Sequence, residues 1–112
     1  MLFFVRAFCL WFRHGISPLR RRFVASPAFL LTPEWRRVRY QALRANDGRC
    51  ELCGRSKHDG VRLNVDHVKP RRSHPWLALD PRNLQVLCED DNAGKGNRWW
   101  DDWRHPSHPH RR

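Results

Sequence analysis

Two stretches of this 112-residue chain hold residues that can do chemistry. "CELC", residues 50 to 53, sets two cysteines with two residues between them, which is half of a metal clip. The other half should be a second Cys-x-x-Cys. "LCEDDNAGKGN", residues 87 to 97, supplies Cys88 but puts Asp91 where that last cysteine should stand. "VDHV" places Asp66 beside His67 on a run that alternates apolar and polar residues. Neighbours on a strand point to opposite faces, so the pair can serve one site only near the strand's end or at a bend. Asn83 follows a long loop, and Asn92 and Lys95 lie about one helical turn apart. Singly, each has an ordinary explanation: a turn asparagine, a solvated lysine, a satisfied strand histidine. The signal is their order: Cys-x2-Cys, Asp-His, Asn, Cys-x2-Asp, Asn-x2-Lys.

These residues need elements to hold them. "TPEWRRVRYQALRANDG" reads as a helix, with Thr32 as N-cap, Pro33 in the first position and Glu34 in the first turn. Trp35, Val38, Ala42 and Leu43 recur at helical spacing, arginines occupy the other face, and "NDG" stops the run. "VRLNVDHVKP" predicts a strand ending by Pro70, "RRSHPWLALDPRN" a long loop, and "LQVLC" a second short strand or turn. "EDDNAGKGNRWWDDW" predicts a closing helix weakened by two glycines, with Trp99 and Trp103 packing against Trp35. Base stacking is the other use for these tryptophans.

On the residues "CELC", "DHVKP", "NLQVLCEDDN" and "NAGKGN", the chain resembles the HNH endonuclease family, and most of all its small stand-alone phage and prophage members. The resemblance covers roughly residues 33 to 104. It implies a small α+β fold: a ββα-metal core with a preceding helix and a structural zinc site, between disordered basic arms. His67 would be the general base, and Asp66 and Asn92 would hold one Mg2+ or Mn2+ ion. Asn83 would orient His67 or brace its loop, and Lys95 would contact a phosphate. Asn92 stands where the family name expects a histidine; asparagine can still ligate through its carbonyl. The implied product is DNA cut to 5′-phosphate and 3′-hydroxyl ends, one strand at a time by a monomer. Zinc accepts aspartate oxygen as well as cysteine sulfur, so Cys50, Cys53, Cys88 and Asp91 form a possible structural site. Asp90 or water as fourth ligand, or a site that has lost its affinity, are the alternatives.

Charge fits a polyanion partner. Residues 1 to 33 hold five arginines and no acid, residues 105 to 112 add two arginines, and the middle carries 15 basic and 11 acidic side chains. The net charge of +11 suits double-stranded DNA, with an acidic membrane surface as the rival. "MLFFVRAFCLWF" is shorter than the roughly 20 apolar residues that a spanning helix needs, and Arg6 interrupts it. Residues 1–31 are therefore expected as a poorly ordered basic and apolar extension broken by Pro18 and Pro27. Residues 32–104 would be the folded domain, and 105–112 a disordered tail. The sparse, uneven cysteines favour metal binding in a reducing compartment, hence the cytoplasm of a bacterial or phage-infected cell. A zinc-stabilised DNA-binding module that does not cut is the alternative function.

Overall fold

The computed structural model describes residues 16–96 and 98–104. The first expectation to fail is the loose N-terminal extension. Ser17 caps a helix, α1 (Pro18–Ala25), by accepting the Arg20 backbone N–H at 3.2 Å. Ser26 then leads into a 3-10 helix, Pro27–Leu31. Both prolines sit in a first helical turn, where the missing N–H costs nothing. Val24 and Phe29 are 2% and 3% exposed and share a core with Trp35, Val38, Ala78, Leu79 and Leu84. Arg71 ties the segment down: its guanidinium donates to the carbonyls of Val24 (2.7 Å) and Ser26 (2.9 Å) and lies over the Phe29 ring. Residues 16–31 therefore belong to the packed body. Residues 1–15 and 105–112, expected as disordered, lie outside the described residues.

Helix α2 (Pro33–Ala45) begins and ends where the caps indicate. Thr32 Oγ1 accepts from Trp35 N at 3.3 Å, and Asn46 closes the other end. Trp35 and Val38 are buried; the arginines between them face solvent.

Strands β1 (Leu63–His67) and β2 (Leu84–Cys88) pair antiparallel, with Val65 opposite Val86 and Asp66 opposite Gln85. One face carries Leu63, Val65 and His67, and it receives the core residues of α2. β2 is buried along its whole length. Helix α3 (Glu89–Lys95) follows directly and packs on both strands, completing a ββα unit.

The closing helix is shorter than the sequence suggests. It stops at Lys95 because Gly96 takes φ 56° and ψ −153°, a conformation open essentially to glycine. Once the helix ends, the tryptophans lose their helical spacing. Trp99 and Trp103 are 54% and 43% exposed and do not belong to the buried core that holds Trp35. The chain instead runs back over the sheet, where Gln85 is the clamp. Its Nε2 donates to Asp101 O (2.9 Å) and its Oε1 accepts from Trp103 N (2.8 Å). No helix among the described residues is long and apolar enough to cross a membrane.

Candidate functional site

Cys50 and Cys53 sit on a tight turn whose geometry glycine makes possible: Gly54 adopts φ 78° and its N–H returns to Cys50 O at 2.9 Å. Cys88 ends β2, and Asp91 lies in the first turn of α3. One ligand atom from each of the four residues falls within 4.8 Å of the others. Cys53 Sγ and Cys88 Sγ are 3.9 Å apart. Tetrahedral zinc with two Zn–S bonds separates its sulfurs by about 3.8 Å, so the spacing suits that ion. Cys50 Sγ reaches Asp91 Oδ2 at 3.2 Å. The Cys3Asp cluster can hold a structural metal such as zinc, and Asp91, not Asp90, completes it.

Charge at this cluster needs an offset. Three thiolates and a carboxylate around a divalent ion leave two negative charges. Arg55 lies against them, its Nε donating to Cys53 Sγ at 3.3 Å and its Nη2 approaching Cys88 Sγ at 3.8 Å. That contact holds the Cys53 thiol below its ordinary pKa, whereas burial pushes Cys88 up to about 11. Arg55→Ala should weaken zinc binding by about tenfold, the lower end of what outer contacts to metal ligands contribute. Competition against a chromogenic chelator measures it.

The second group lies on β1 and α3. Asp66 Oδ2 accepts from Gln85 Nε2 at 2.9 Å and pairs with Lys95 Nζ at 3.0 Å. Burial raises the Asp66 pKa despite both partners. Lys95, expected to contact phosphate, is 6% exposed; its ammonium also donates to His67 O at 3.0 Å. It is turned inward, where its ion pair among the described residues is with Asp66 on β1. In this arrangement it is not a surface phosphate ligand.

His67 points to the opposite face, as strand alternation requires. It is 9% exposed, stacked on Trp35 with ring centroids 4.8 Å apart, and its Nε2 lies 2.9 Å from Ala78 O. A carbonyl only accepts, so Nε2 carries the proton and Nδ1 the lone pair. Burial lowers its pKa to about 4. The unfolded chain binds the extra proton between about 4 and 6.5, so stability rises with pH through that window. About 3 kcal/mol, fully present above pH 6.5, should be lost on going down to pH 4. Asp66 contributes with the opposite sign, so the difference in urea stability between wild type and His67→Gln, measured from pH 4.5 to 7.5, isolates the imidazole.

Asn83 is 5% exposed, and among the described residues its side chain hydrogen-bonds to backbone only. Its Oδ1 accepts from Lys69 N (2.9 Å) and its Nδ2 donates to Lys69 O (3.0 Å), pinning the chain just after β1. Asn92 lines a groove of about 410 Å³, together with Leu30, Trp35, Arg36, Arg39, Asn64 and Val65. Asn64 and Val65 point to opposite faces and both line it, so the groove follows the strand's open edge. Gln85 and Arg55 were not singled out in the sequence. A glutamine inside the apolar run "LQVLC" is the signal for the first.

Residues 50–98 match the family model described as HNH endonuclease. This segment is an HNH-family domain. Its match spans both groups of residues, from Cys50 through Lys95, and leaves α1 and α2 outside. No curated protein and no solved structure shows significant similarity to the chain. The HNH domain thus has its ββα unit, a Cys3Asp cluster that can hold a metal and a buried Asp66–Lys95 pair in place.

Proposed function

We propose that the chain is a metal-dependent DNA endonuclease that hydrolyses phosphodiester bonds at Asp66, His67 and Asn92. One observation carries this reading: within an HNH domain, the Asp66 carboxylate already grips a cation, the Lys95 ammonium, at 3.0 Å. The donors suit a hard divalent ion. Asp66 keeps Oδ1 and Asn92 its side-chain carbonyl unengaged among the described residues, and both are oxygens. Mg2+ or Mn2+ held by them would supply Lewis-acid charge at the scissile phosphate. His67 is neutral at working pH, with Nδ1 as the nitrogen that takes a proton from the attacking water. Asn83 fixes the chain beyond β1, and Lys95 holds both the Asp66 carboxylate and the His67 carbonyl, so the strand end keeps its orientation. Double-stranded DNA is the substrate that the +11 charge suits.

A second reading has its own support. His67 is stacked under Trp35, which fits a zinc-stabilised module that binds DNA without cutting it. Cleavage requires that ring pair to part. Supercoiled plasmid incubated with zinc-loaded protein separates the two. With Mg2+ or Mn2+, wild type should give open circles, EDTA should stop it, and His67→Ala should slow it by about 10²–10⁴-fold. Plasmid bound but left supercoiled by wild type would select the non-cutting module.

A further inference from the structure

The inward turn of Lys95 leaves the Asn92 side of the groove without the cation that the sequence placed there, and the structure puts other cations in its way. Arg36 and Arg39 line the same groove as Asn92, and both belong to α2, outside the HNH match. They are three residues apart, so about 5–6 Å separates their Cβ atoms and one phosphate or two successive ones lie within their joint reach. Both are exposed, and neither guanidinium has an ion pair or hydrogen bond among the described residues. α2 carries one acid, Glu34, and it does not line the groove. Asn64 and Asn92 add neutral polar groups to its lining.

We propose that Arg36 and Arg39 bind the DNA backbone in this groove, so that α2, not Lys95, supplies the phosphate contacts beside Asn92. The inference rests on the reading of DNA as substrate. Planar guanidinium groups bind phosphate oxygens by paired hydrogen bonds, and a contacted phosphate releases condensed counterions. Trp35 and Leu30 form the apolar side of the same groove, where a deoxyribose would lie against them.

The test separates binding from cutting. Fluorescence anisotropy of a labelled duplex in EDTA measures affinity from low to moderate salt, for wild type, Arg36→Ala/Arg39→Ala and Arg37→Ala/Arg44→Ala. The last pair lies on α2 away from the groove and removes the same charge. The groove pair should weaken binding by at least about tenfold at moderate salt and flatten the log-log salt slope by about 1 to 2, since each lost phosphate contact removes about 0.9. The control pair should move both much less, and Arg36→Lys/Arg39→Lys should recover part of the loss. Thermal melting of each variant shows that the fold is kept. Equal effects of the groove and control pairs would overturn the proposal while leaving the nuclease reading intact. Failure of wild type to nick plasmid, with the groove pair still selectively weak in binding, would sink the nuclease reading alone.

Discussion

Removing the metal from zinc-loaded protein should abolish its cooperative unfolding transition, and Cys88→Ala should do the same. Cys88 is fully buried, ends β2 and sits at the N-cap of α3. The second core around it is small: Cys50, Leu87 and Cys88, with Val61 and Leu63 against them. Few apolar groups hold the "CELC" turn to the sheet, so the ligand bonds must supply the rest. Structural zinc contributes about 10 kcal/mol or more in small domains, comparable with the roughly 5–15 kcal/mol by which a whole domain is stable. Asp91→Ala should fall between, with weaker zinc binding, because three sulfurs and a water can still complete a tetrahedron. Elemental zinc content and thermal melting on the same samples check all three. A melting temperature that a strong chelator leaves unmoved would show that the cluster has no structural metal.

The second large effect concerns the Asp66–Lys95 pair. Their side chains are 12% and 3% exposed, so each charge depends on the other. Lys95→Met keeps most of the volume but leaves the carboxylate with Gln85 alone. Breaking a buried pair from one side costs about 3–5 kcal/mol, so urea unfolding at pH 7 should reveal a loss of that size. Asp66 is already raised in pKa by burial, and losing Lys95 raises it further. A raised carboxylate favours the folded state at low pH and loses that advantage as pH rises through the folded pKa. The deficit of Lys95→Met should therefore shrink toward acid pH. Combining it with Asp66→Leu should recover much of the stability, because a buried pair replaced by apolar groups is often neutral. A single variant as stable as wild type would mean that the pair is solvated in solution.

The sequence showed most clearly those features that depend on near neighbours. Thr32 followed by Pro33 marked the start of α2, and Thr32 does cap it. The same logic applied to Ser17–Pro18 and Ser26–Pro27 would have found α1 and the 3-10 helix. Those prolines read as breakers, although each follows a serine at the N-cap position; Ser17 caps with its side chain, and Ser26 marks the helix start without a side-chain cap bond. The Cys-x2-Cys and Cys-x2-Asp spacings converge as expected, since each half is held by one turn. Lys95 was legible only as a helix residue. Whether its ammonium reaches water or Asp66 depends on how α3 sits on β1, 29 residues away, which no local pattern encodes. Likewise Trp35 and His67 each read as core or site, but their stacking follows from the packing of α2 on the sheet.

Asp91 and Asn92 are adjacent, yet under the proposed function they have separate tasks: Asp91 would complete the zinc cluster and Asn92 would serve the cutting site. The most direct test is plasmid relaxation in Mg2+ or Mn2+ by zinc-loaded Asp91→Cys and Asn92→Ala, with zinc content and melting measured alongside. Asp91→Cys should keep its zinc and cut at close to the wild-type rate. Asn92→Ala should keep its zinc and its melting temperature but lose cleavage by at least about 10²-fold, since a ligand to the charge at the transition state is gone. Cleavage by Asn92→Ala at the wild-type rate would contradict the account.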